Sequence, residues 1–377
     1  MNVQSRMHKA QGGEYQGREN PGREMTDENM MHLATGPRGR PFRPPRAPQA
    51  PRAQRTSLAT ASATAEAHAR HTGIARAAVT RTAALLTGEV DIVQDLSVRD
   101  VARVEREADY EVITRPSLLN LVLALDFRDQ SPTIPLDTNP MQDQRVREAI
   151  TRAIDVEAIR TAIMNGLSTP SEQYVPASHI GYLPGASFRE MYPFDLERAR
   201  ELMEEAGYGD GFRMTLDATN NRYVNDQEIA QALAQMLSQI GIDLELNLMP
   251  RANFFGYIRV PSDQSSFIMS GWDVPSGDAG SMYGAMFHTR DVRDAYGRVN
   301  RGAYSNPEVD ALIIEADSTA DVRQRHETLQ KVTEILMRDI PMIPVHYEQD
   351  IYAAHDRVQF TPRTDKFLWA YEMDVAE

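Results

Sequence analysis

Between Asp195 and Met249 the chain twice writes the same short phrase, an amphipathic helix, a glycine and then a strand. After Asp195, the residues Leu196, Ala199, Leu202, Met203 and Ala206 recur at helical spacing, Gly207 stops the helix, and Phe212, Met214 and Leu216 alternate as in a strand. Ile229, Leu233, Met236, Leu237 and Ile240 form the next stripe, Gly241 ends it, and IDLELNLM (Ile242–Met249) alternates strictly. Helices and strands that follow each other this closely must be layered, so the fold class is α/β.

The rest of the body uses the same grammar. Asp143 caps a helix with Val146, Ala149, Ile150, Ala153 and Ile154 on one face, and Arg145 and Arg147 are expected on its solvated side. Asp155 caps a second helix that Gly166 stops. Asn306 with Pro307, and Asp321, open two more, the last ended by Pro341. LLNLVLAL (Leu118–Leu125) has the continuous apolar character of a strand buried on both faces. A turn at Thr87–Gly88 leads into a short strand with Val90, Ile92 and Val93, and two strands, Met342–Tyr347 and Ile351–Ala354, are expected near the C-terminus.

Residues 1–80 differ. They hold no lasting apolar period, and Gly36–Arg55 is mostly Pro, Arg and Ala, so this stretch is expected to be disordered or unrelated to the body. MNVQSRMHKAQGGEYQG lacks the apolar stretch of an export signal. This front part carries 12 basic and 6 acidic residues, which leaves 28 basic and 48 acidic residues for the remainder. An acidic body of that kind repels nucleic acid. No apolar run reaches the roughly 18 residues of a membrane span, so no direct membrane insertion is expected. With no cysteine, disulfides and thiolate chemistry are excluded.

Catalytic signatures are missing. None of the three lysines (Lys9, Lys331, Lys366) follows a glycine, so there is no P-loop, and GYGDG (207–211) ends a helix where a dinucleotide loop would begin one. Neither H-E-x-x-H nor G-x-S-x-G occurs. His346 and Glu348, two apart in an expected strand, could with His355 hold a metal, which gives a metal-assisted hydrolase as an alternative; a packing role fits the loose spacing better. No cofactor and no catalytic residue are expected.

One cluster suggests a ligand. In FIMSGWDVPSGD (267–278) an apolar strand runs through Gly271 into Trp272, followed by Asp273, Pro275, Gly277 and Asp278. A strand end with a Gly/Pro loop presents an aromatic face and carboxylates to a ligand, or else the tryptophan plugs the core. Met269, Trp272, Asp273, Asp278 and Tyr283 are the candidate ligand-binding residues.

LLTGEVDIVQD (85–95), RVREAITRAID (145–155), Asn165–Gly166, FDLERARELMEEAG (194–207), GFRMTL (211–216), Ile229–Ile242, Ser270–Trp272, YSNPEVDAL (304–312) and PMIPV (341–345) follow one another in an order that resembles the family-5 solute-binding proteins serving dipeptide, oligopeptide and nickel importers. The resemblance implies a periplasmic-binding-protein type II-like two-lobe fold with its second lobe complete and its first truncated. Residues 81–123 would be a remnant of lobe 1 with the first hinge strand, 124–342 lobe 2, and 343–377 the second hinge and the return to lobe 1. It implies a non-catalytic solute binder, periplasmic or extracytoplasmic, that works with ABC transporter membrane subunits; a ligand-sensing regulatory module is an alternative on the same fold. Trp272 matches the family's pocket tryptophan. The aspartate that some peptide-binding members carry three positions later is replaced by Pro275, which leaves Asp273 and Asp278 as substitutes. If the first lobe is incomplete, Leu85, Leu86, Val90, Ile92, Val93, Phe367, Leu368 and Trp369 are expected to be left bare, and solute binding to be weak.

Overall fold

A computed structural model describes residues 78–260, 264–363 and 365–376. The expectation for residues 1–80 therefore lies almost wholly outside the described residues. Within them, helix α1 (Ala78–Leu86) already precedes Arg81, and a turn with Gly88 at φ +71° leads to β1 (Ile92–Gln94).

The backbone of the fold is a pair of long antiparallel strands, β2 (Tyr110–Ala124) and β7 (Met342–His355), in which Leu121 faces His346 and Leu123 faces Ile343. The runs expected as separate strands lie inside these two. β2 starts well before Leu118 because its first half is only half-buried and lacks the apolar run that marks the second. β7 continues through Glu348–Asp350, the gap between the two expected strands, because β2 and β3 (Ser168–Pro170) supply hydrogen-bonding neighbours along that stretch. Both register shifts in the pair adjoin a proline, Pro116 on one strand and Pro344 on the other, where the ladder loses a donor.

The α/β layer is built as the spacing implied. β4 (Phe212–Thr219) and β5 (Ile242–Met249) are parallel, and β6 (Phe267–Trp272) lies parallel to β4 and antiparallel to β2. The sheet order is β1-β7-β2-β6-β4-β5, with β3 on β7. Around it pack α2 (Gln144–Ala153) against α3 (Leu196–Glu205), α4 (Asp226–Ser238) against β5, and α7 (Pro307–Ser318) against α8 (Val322–Asp339); α5 (Arg251–Tyr257) and α6 (Gly280–Met286) fill the connections. The expected caps are made. Asp143 accepts from the Arg145 N–H at 2.8 Å, Asp195 from Arg198 at 3.0 Å, Asn306 from Glu308 at 3.0 Å and Asp321 from Gln324 at 2.8 Å. Gly211 must be glycine: its φ is +75°, and a Cβ there would lie 1.8 Å from the Gly241 carbonyl oxygen.

Two surface expectations fail. Arg147 is buried, donating to the carbonyls of Met141 (2.8 Å), Gln142 (2.8 Å) and Asp339 (2.9 Å) with its guanidinium over the Phe127 ring; only Arg145 is solvated. A charged side chain on the apolar side of a helix was invisible to periodicity because its burial is made tolerable by carbonyls that helical spacing does not mark, those of Met141 and Gln142 just before the helix and that of Asp339 far along the chain. The apolar residues of the β1 region are not bare either. Leu85, Val90 and Val93 pack with Val104, Ile351 and Ala353 in a second core, and Ile92 joins a third, whereas Phe367 and Trp369 are exposed.

Candidate ligand-binding site

β6 carries Trp272 to its C-terminal end, directly opposite Asn120 of β2. Asn120 is buried and fixed: its amide donates to the carbonyls of Gln173 (3.2 Å) and Tyr174 (3.3 Å), and its oxygen accepts from the Ser171 hydroxyl at 2.6 Å. Tyr347 of β7 donates to the same Gln173 carbonyl at 3.3 Å. Three separate segments thus converge under the tryptophan. Trp272 itself is half-buried, one side against the core and the other open.

The preceding Gly271 is required by Tyr223, whose Cε1 would lie 2.6 Å from any Cβ placed there. Tyr223 is buried, and the Arg222 guanidinium sits 5.0 Å from its ring centroid. The loop after Trp272 is held from below. His179 Nε2 is 2.7 Å from the Val274 carbonyl, the Ile180 N–H donates to Gly277, and the Ala279 N–H donates to Ile180.

The five candidate residues separate into two groups. Trp272 and Asp273 reach solvent, and no ion pair engages Asp273 among the described residues. Asp278 is committed elsewhere: Arg325 of α8 grips it at 2.7 and 2.9 Å, and the Gly280 N–H donates to it at 2.8 Å. Burial alone would raise its pKa, but these partners outweigh burial and hold the carboxyl below its ordinary value. Met269 is fully buried in the core, and so is Tyr283, whose hydroxyl pairs with that of Thr333 at 2.7 Å. Sequence reading missed Tyr223 and Arg325, because nothing local marks a residue that acts on a loop tens of positions away.

An open cleft of about 390 Å³ adjoins this loop, lined by Leu118 of β2, Pro275, and the C-terminal segment at Pro362, Arg363 and Asp365. That segment is tied down: Lys366 Nζ is 2.6 Å from Asp350 of β7, and an Arg115 guanidinium nitrogen donates to the Pro362 carbonyl at 2.8 Å. The proposed metal set is not assembled. His346 is fully buried with neither ring nitrogen hydrogen-bonded, Glu348 accepts from the Val224 N–H at 2.9 Å, and His355 pairs with Asp356. Among the described residues no group of three His, Cys, Asp or Glu side chains is placed to hold a metal.

Comparison with known proteins agrees with this architecture. The glutathione-binding protein GsiB of Salmonella paratyphi A is 27% identical over 281 residues, covering 74% of this chain and 52% of the relative; its counterpart in Escherichia coli O157:H7 is 26% identical over the same extent. The chain thus spans about half the length of the curated relatives it matches. Among solved structures, the periplasmic binding protein DppA from Helicobacter pylori in complex with the peptide STSA superposes with a TM-score of 0.67 at 22% identity, covering 80% of this chain and 55% of that one. NikA from Staphylococcus aureus, in complex with Ni(L-His)2, gives 0.65 at 21% identity, with 79% and 60% covered. The fold is therefore that of the type II periplasmic binding proteins. A family model described as bacterial extracellular solute-binding proteins, family 5, middle region, matches residues 74–294, and the chain belongs to that family.

Proposed function

We propose that this chain is the solute-binding component of an ABC importer, acting outside the cytoplasmic membrane without catalysis and delivering a small peptide-like solute to transporter membrane subunits. The observation that carries the reading is the cleft of about 390 Å³ lined by Leu118, by Pro275 of the loop after Trp272, and by Pro362, Arg363 and Asp365. Its size falls in the range of small-molecule sites. In this reading β2 and β7 are hinge strands, residues 124–342 form one lobe, and the flanking parts belong to the other. Trp272 offers an apolar face and Asp273 an uncommitted carboxylate, a combination suited to a ligand with an amino group on a partly apolar body. Glutathione and peptides are the ligands named for relatives and neighbours, and they supply that chemistry.

Calorimetric titration of the chain with glutathione, trialanine and a dipeptide tests the proposal. Saturable binding of at least one, with a melting temperature that climbs with ligand concentration, is expected. Absence of binding by all three at millimolar concentration would contradict it.

A further inference from the structure

The cleft residue Pro275 is bracketed by two hydrogen bonds from one neighbouring segment. His179 Nε2 bonds the Val274 carbonyl on one side of it, and the Ile180 N–H donates to the Gly277 carbonyl at 2.9 Å on the other. The position of the loop therefore depends on what holds residues 179–181. That support is α8. Arg325 grips Asp278 of the loop itself, the Thr333 hydroxyl donates to the Gly181 carbonyl at 2.7 Å, and His326 Nδ1 accepts from the Gly181 N–H at 2.9 Å. Gly181 is buried at φ +97°, and a Cβ there would lie 2.8 Å from that of Ala279 and 3.1 Å from that of Leu329, so the segment is seated tightly between the end of the loop and α8.

The His326 bond dictates a protonation state. A backbone N–H can only donate, so Nδ1 must offer a lone pair and the ring is neutral. A proton added to Nδ1 would set N–H against N–H and strip the buried Gly181 N–H of its acceptor. Imidazole is the side chain whose ordinary titration falls between about pH 5 and 8. Gln330, one turn further along α8, is 3.0 Å from the other ring nitrogen. The charged neighbours on α8 are Arg325 and Glu327; on the elements packed against it they are His179, Asp278 of the loop, and Glu315 and Asp317 of α7. Arg325 is shared by Asp278 and Asp317, and Glu315 accepts from the Thr328 hydroxyl at 3.1 Å. Among the described residues no carboxylate pairs with His326, so none stands ready to replace the lost bond.

We infer that His326 is a pH-sensitive positioning residue for the cleft loop: its neutral form holds Gly181, and through Ile180 the stretch from Val274 to Asp278, and its protonated form releases them, so that solute affinity falls as His326 takes up a proton. This rests on the solute-binding reading above and adds control of the same site by acidity. His326 acts on the solute only through Gly181, Ile180 and the loop.

The test measures glutathione and trialanine affinity per folded molecule at about pH 7 and about pH 5, a span over which the amino and carboxyl groups of both ligands keep largely one charge state. The parent chain is compared with His326→Asn and His326→Leu. The parent is expected to bind about fivefold or more weakly at the lower pH. Asparagine sets a side-chain oxygen where Nδ1 lies and does not take up the proton, so His326→Asn should match the parent at the higher pH and keep that affinity at the lower one. His326→Leu offers no acceptor and should bind weakly at both. A His326→Asn variant that keeps the parent's pH dependence would assign the effect to another group, such as His179, and overturn the inference, as would a His326→Leu variant that binds like the parent at the higher pH. A parent that binds equally at both pH values removes this inference alone; a parent that binds neither ligand at the higher pH removes the solute-binding reading and this inference with it.

Discussion

Glu348 of β7 accepts the Val224 backbone N–H at 2.9 Å and so ties the long central strand to the loop before α4 that also carries Tyr223. The carboxyl is buried, and two positions along the same face lies the fully buried His346. Burial moves their pKa values in opposite directions. Glu348 is raised to about 7, only partly offset by Val224, Lys366 and Arg222; His346 is lowered to about 4, with Arg189 adding to the effect of burial.

The two shifts have opposite consequences for stability. From its ordinary value of 4.5 up to about 7, the folded state keeps a proton on Glu348 that the unfolded chain releases, so stability falls as pH rises. Between about 4 and 6.5 the unfolded chain protonates His346 while the folded state does not, so stability rises with pH. The slopes oppose each other where the windows overlap. Urea denaturation across this range should show a steeper rise with pH for Glu348→Gln than for the parent, and a fall for His346→Gln. Parallel profiles for all three would refute the assignment.

Arg147 donates to three carbonyls, that of Met141 in a buried bond and those of Gln142 and Asp339 in part-buried ones. Arg147→Ala should destabilise the chain by about 1–3 kcal/mol, because a buried acceptor left unpaired costs about that much and the two part-buried ones can turn to water. Chemical denaturation checks this, and a loss below about 1 kcal/mol would mean that water replaces the guanidinium. Arg145→Ala, on the exposed side of the same helix, should change stability by less than about 1 kcal/mol.

These cases show what could be read in advance. The capped helices and the strict alternation of Ile242–Met249 were legible because each signal is local: a cap acts within a turn and burial repeats along one element. Continuity of β7 was not, since His346, Glu348 and Asp350 are polar and are accepted in a buried strand only through pairing with distant segments. At the site, Trp272 was visible as a rare aromatic at a strand end. The commitment of Asp278 to Arg325, 47 residues away, is a long-range fact without a local mark.

Asp350 is buried, and Lys366 is its ion-pair partner at 2.6 Å. Lys366→Met should cost about 3 kcal/mol, the penalty of a buried carboxylate left alone, and should free the C-terminal segment for early proteolysis. The double variant Lys366→Met with Asp350→Asn should regain most of that stability. If it is no more stable than the single variant, the pair does not act as a unit.

The solute-binding role is tested most directly by Trp272→Ala, measured for glutathione and trialanine affinity and for melting temperature on the same preparation. An aromatic anchor in a cleft commonly contributes about 2 kcal/mol or more to binding, whereas a tryptophan removed from a core costs about 3–5 kcal/mol of stability. The expected result is affinity lowered about 30-fold with the melting temperature within a few degrees of the parent. A large fall in melting temperature with unchanged affinity per folded molecule would place Trp272 in the core and contradict the site.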